Sequence, residues 1–92
     1  MLPKAKFDIE DASLWYESKS LRTGSVFLDE LEEVFNYLEK FPFSKQIRFE
    51  NVRLAFLKSF PFGIHYLIEE DKVIVLRILH SSRNVTNWKS IM

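Results

Sequence analysis

Four side chains in the second half of the chain have the types that phosphate chemistry uses: Arg53, Arg77, His80 and Arg83. A guanidinium grips a phosphate through two parallel hydrogen bonds, and an imidazole changes charge near neutral pH. Gathered on one surface, they could take the proton of a ribose 2′-hydroxyl and hold the phosphate it attacks, which is RNA cleavage. The same residues read more readily as ordinary ones, with Arg53 and Arg77 paired or solvated on strands and His80 a structural hydrogen-bonder. Other chemistries find less support. His65, on a half-apolar strand face with Gly63 and Leu67, reads as structural, and no spacing supports a metal site shared with His80. Trp15-Tyr16 reads as core, and the acidic run 29 to 33 as a solvated helix face. The chain holds no Gly-rich phosphate loop, no Ser/His/Asp set and no ligand cluster, so it implies no metal and no cofactor. With no cysteine, thiolate metal sites and disulfide frameworks are excluded.

The elements that would position these residues start with a hairpin. Ile64 to Ile68 and Val73 to Leu79 are apolar, β-branched runs flanking the charged tetrad Glu69-Glu70-Asp71-Lys72, a solvated turn. The second run carries Arg77 and exits into His80, Ser81, Ser82 and Arg83. Arg53 lies upstream, where Val52, Leu54 and Phe56 alternate with Arg53, Ala55 and Leu57 as one more strand. In an antiparallel sheet these side chains could converge on one concave, basic surface. Ile47 to Phe49 is at most a short extended piece.

The first half reads as two helices. Pro3 suits a first helical turn, and Ala5, Ile9, Ala12 and Tyr16 form a stripe over Lys4 to Lys19, with Asp8, Glu10 and Asp11 mostly turned away from it. After a connection at Ser18 to Ser25, Phe27, Leu31, Val34, Leu38 and Phe41 mark a second helix from about Val26 to Lys40, widened by Leu28 and Phe35 and ended by Pro42. So short a connection predicts an antiparallel helix hairpin. Helices followed by a strand meander give an α+β, two-layer domain. The tail is polar except for Val85, Trp88, Ile91 and Met92, with a last helical turn expected around Asn87.

Ninety-two residues with 47% hydrophobic content, nine of them Phe, suffice for one domain with an aromatic-rich core. The formal charge of zero divides unevenly. Residues 1–46 hold 6 Lys/Arg against 9 Asp/Glu, net −3, and residues 47–92 hold 7 against 4, net +3. An anionic partner should meet the second half, although the bias is far below that of a general nucleic-acid binder. No apolar run approaches a membrane span and the N-terminus lacks a signal-peptide core, so a soluble, cytoplasmic protein is expected.

Several strings resemble the RelE/ParE superfamily of bacterial type II toxins. Residues 2 to 17, with Pro3, Asp8-Ile9, Ala12 and Trp15-Tyr16-Glu17, resemble its first helix. Phe27-Leu28 and the acidic second helix, Asn51-Val52-Arg53, Phe60-Pro61-Phe62 through Tyr66, Ile68 to Asp71, and Leu79-His80-x-x-Arg83 with Trp88 follow in the same order, closest to the ParE-like branch. The resemblance covers nearly all of residues 1–92 as one toxin domain. It implies a plasmid-stabilisation toxin neutralised by a cognate antitoxin, with which it forms a hetero-oligomer. By that branch it inhibits DNA gyrase and needs no catalytic residues, so that Arg53, Arg77, His80, Arg83 and Trp88 would be contacts for target or antitoxin. The RelE-like alternative is a ribosome-dependent mRNA endonuclease that uses Arg53, Arg77, His80 and Arg83. A third reading is a degenerate, non-toxic homologue that still binds an antitoxin. Members of the superfamily begin with a short strand before the Pro-initiated helix, and this sequence opens at that helix. The expectation is therefore either a start further upstream or a fold that leaves one sheet edge open.

Overall fold

The computed structural model describes residues 1–81. Two helices, α1 (Pro3–Lys19) and α2 (Leu21–Lys40), precede four strands: β1 (Ile47–Phe49), β2 (Val52–Phe56), β3 (Phe62–Glu69) and β4 (Lys72–His80). The strands form one antiparallel meander in the order β1-β2-β3-β4. The α+β architecture expected from the sequence is the one observed, with two differences. The piece at Ile47 to Phe49 is a true strand, pairing Ile47 with Arg53 and Phe49 with Val52, so the sheet has four strands rather than three. And α2 starts at Leu21, five residues before the apolar stripe marks it.

The early start follows from Ser20, which serves both helices. Its amide closes α1 by donating to the Tyr16 carbonyl, and its side-chain oxygen accepts from the Thr23 amide at 3.3 Å to open α2. A serine hydroxyl does this well because it replaces a backbone acceptor that the first turn lacks. One extended residue therefore reverses the chain. Close helix contact also needs small side chains. Ala5 and Ser13 are buried on α1, and a Cβ at Gly24 would run into the Glu17 side chain, with the Glu17 amide nitrogen only 3.3 Å away.

The core lies between the helix pair and one face of the sheet. Phe27, Leu31 and Leu38 of α2 meet Ala55, Ile64, Tyr66, Val75 and Ile78 there. Tyr16, Phe27, Phe60 and Phe62 form an aromatic cluster with ring centroids 4.8–5.4 Å apart in their closest pairs. Tyr66 spans the layers, its hydroxyl donating to the Pro42 carbonyl at 3.0 Å. Leu28 and Phe41, expected in the α2 stripe, are exposed instead, Phe41 because the helix ends one residue before it.

The β3–β4 turn is tighter than the tetrad suggested: Glu69 pairs with Lys72, leaving Glu70 and Asp71 as a two-residue loop with φ of 50° and 65°. Positive φ at both positions matches the right-handed twist of the flanking strands. Further along, Tyr66 pairs with Val75 but His65 with Arg77, so Leu76 is an extra residue in β4. The outer edge of β4 carries no further strand among the described residues. Two backbone groups on it are nevertheless engaged: the Leu2 amide donates to the Val75 carbonyl at 3.0 Å, and the Ile78 amide donates to Asp8 Oδ2 at 2.9 Å.

Candidate functional site

Across an antiparallel ladder, directly paired residues share a face and successive residues alternate. The chain Arg53–Tyr66–Val75 therefore lies on the helix side, and the chain Leu54–His65–Arg77 on the outer side. Arg53 and Arg77 thus leave opposite faces of the sheet, two strands apart, and do not converge on one basic surface. Each is also engaged locally. The Arg53 guanidinium donates to the Lys45 carbonyl and lies over the Phe43 ring, 5.2 Å from its centroid.

Arg77 makes the strongest polar contact described. Its Nε and Nη2 donate to the two oxygens of Asp8, at 2.7 and 3.0 Å, and the same carboxylate takes the Ile78 amide. The two side chains are only 18% and 15% exposed. The hydrogen bond to Asp8 raises the Arg77 pKa against the opposing effect of burial, so the guanidinium stays charged. Sequence reasoning placed Asp8 among residues turned away from the core. Its neighbour Ile9 is on the buried stripe, but nothing local marks a partner 69 residues away.

His65 is buried, with Nδ1–H donating to the Gly63 carbonyl at 3.2 Å. Burial is the main reason its pKa falls below 6.5, and the Arg77 charge adds to that. Its structural role is the one expected from sequence. His80 pairs with Phe62 on the helix side, its ring centroid 5.2 Å from that of Phe62, so the two histidines leave different faces. Among the described residues, no group of three His, Cys, Asp or Glu side chains could hold a metal ion. Arg83, Trp88 and the turn expected around Asn87 lie outside the described residues.

His80 sits at the rim of a groove of about 700 Å³ between α1 and the start of the hairpin, lined also by Asp8, Asp11, Trp15, Tyr16 and Phe62. Beside it, α1 leaves Phe7, Leu14 and Trp15 exposed at 70%, 56% and 57%. A helix apolar on both sides, with one side covered, presents the other to a partner. This apolar strip with its acidic border was not anticipated from the sequence, which had assigned Trp15 to the core.

The family model of the ParE toxin of type II toxin–antitoxin system, parDE, matches residues 1–85. The chain belongs to the ParE toxin family. No individual curated protein matches it. Membership makes it the toxin half of a type II pair and implies an antitoxin partner. Among the described residues of this ParE-family toxin, no helix is long and apolar enough to cross a membrane.

Proposed function

We propose that this ParE-family toxin inhibits DNA gyrase and that a cognate antitoxin holds it inactive. The observation that carries the reading is the separation of Arg53 from Arg77, together with the Asp8–Arg77 pair. RNA cleavage needs guanidinium groups directed at one phosphate and a nearby proton acceptor. Here one arginine faces a carbonyl on the helix side and the other is neutralised by a carboxylate at the sheet edge. Of the two arginines the outer sheet face carries only Arg77, on the same face as the buried side chains of Val52, Leu54 and Leu79. A toxin that acts by binding a protein target requires no such constellation.

The antitoxin segment would lie along α1, burying Phe7, Leu14 and Trp15 and closing the adjacent groove. An amphipathic helix set into a groove reads as anchors at i, i+3, i+4 and i+7, and Phe7 and Leu14 offer two anchor points seven residues apart. Expression of the toxin alone should give filamentous cells, and the purified protein should block supercoiling by gyrase. Cut transcripts with supercoiling unimpaired would instead establish the RNase, and loss of that cleavage in the His80→Ala/Arg83→Ala variant would assign its residues. Normal growth with a soluble, folded toxin would mark a degenerate homologue.

A further inference from the structure

Between Phe7 and Leu14, α1 reads Asp-Ile-Glu-Asp-Ala-Ser, with three carboxylates and no lysine or arginine. Ile9 and Ala12 pack against the core and Ser13 is buried. Asp8 is taken up by Arg77 and the Ile78 amide. Glu10 and Asp11 remain, and neither carboxylate forms an ion pair with a described residue. Together with Phe7, Asp8 and Leu14 they line a furrow of about 230 Å³ on the exposed side of the helix. Of the lysines of α1, Lys4 and Lys6 precede this furrow, and Lys19 beyond it lies over the Trp15 ring, 5.0 Å from its centroid. The furrow therefore has an apolar side chain at each end and two unpaired carboxylates in its middle.

We propose that the segment covering α1 is a basic amphipathic helix, with two apolar anchors seven residues apart and Lys or Arg midway between them. This rests on the assignment of α1 to the antitoxin and names what that antitoxin segment carries. Phe7 and Leu14 are two helical turns apart, about 10.5 Å. Seven residues is also the interval at which two helices crossing at about 20° stay in register. An extended segment covers the same distance in about three residues, and residues three apart on a strand point to opposite faces. Charge then selects among helices. A neutral or acidic helix laid here would strip water from Glu10 and Asp11 without supplying a partner, which is costly, whereas a cation offsets that loss. Lysine and arginine also suit the shape, because their stems lie along Phe7 and Leu14 while the charged ends reach the carboxylates.

Two synthetic helical peptides test this on the intact toxin. Both carry leucines seven residues apart; one has lysine at the two positions midway between them, the other glutamate. The lysine peptide should shift the amide signals of residues 7–18. At low salt it should bind about tenfold more tightly than the glutamate peptide, since two attractive contacts replace two repulsive ones. That advantage should vanish in a Glu10→Gln/Asp11→Asn variant, which keeps Phe7 and Leu14. Equal affinity of the two peptides, tighter binding of the glutamate peptide, shifts confined to the sheet, or no binding by either would overturn the proposal. Antitoxin co-purified with the toxin should slow amide exchange over residues 7–18. Unchanged exchange there would overturn the assignment of α1 to the antitoxin, and with it the occupant named here, whereas equal binding of the peptides would overturn only its basic character.

Discussion

Replacing Asp8 by alanine removes two hydrogen bonds to Arg77 and the acceptor of the Ile78 amide in one step. Breaking a buried ion pair from one side costs about 3–5 kcal/mol, because the remaining charge keeps its desolvation penalty. At 18% and 15% exposure water reaches both groups slightly, which places the expected loss near the lower end, about 3 kcal/mol. The stability of a chain this size is about 5–14 kcal/mol, so the variant should fold but melt about 15 °C lower. Urea unfolding followed by circular dichroism measures the loss. Arg77→Ala should cost less, about 2 kcal/mol, since Asp8 keeps its bond to the Ile78 amide. The double variant should then fall short of the summed single losses by about 1 kcal/mol or more. An Asp8→Ala loss under about 0.5 kcal/mol, or strict additivity in the double variant, would refute the reasoning, since a surface pair contributes no more than that.

Three further outcomes follow from other contacts. His65 is held neutral by burial, so the unfolded chain binds a proton more readily than the folded one, and stability should decline as pH falls below 6.5. Urea midpoints between pH 7.5 and 5 should show this slope, and a His65→Gln variant should flatten it. Glu30 Oε1 accepts the Lys58 and Ser59 amides at 2.9 and 3.0 Å, so Glu30→Ala should destabilise by about 1–2 kcal/mol, read from the same unfolding curves. At the hairpin tip, Glu70→Asn with Asp71→Gly suits two positive φ angles and should raise stability by about 1 kcal/mol, seen as a higher melting temperature.

The parts of this fold that were legible in the sequence are those with a local period. The stripe from Ala5 to Tyr16 and the alternation from Ile64 to Leu79 record which side of each element is buried, because one buried face demands apolar residues at the element's own repeat. The start of α2 at Leu21 was not legible from apolar spacing, since its first turn is held by the Ser20 side chain and by contact with α1. The strand Ile47–Phe49 was too short for an alternation to register. Arg53, Arg77 and His80 were marked by residue type, but their dispersal depends on the β2–β3–β4 register and on the extra residue Leu76, which shifts it in β4. Asp8 shows the limit most plainly: an acidic residue on a mixed helix carries no sign of a partner at the far end of the chain.

That partnership also sets an order of assembly. Leu2 and Asp8 hold their positions through Val75, Arg77 and Ile78, contacts that close loops of about seventy residues. During synthesis the helix pair leaves the ribosome with its hydrogen-bond partners still untranslated, and joining ends so far apart is the slow, entropically costly step of folding. The strand that fastens the first helix is β4, the last among the described residues, so α1 gains its anchor only after about seventy further residues have been made.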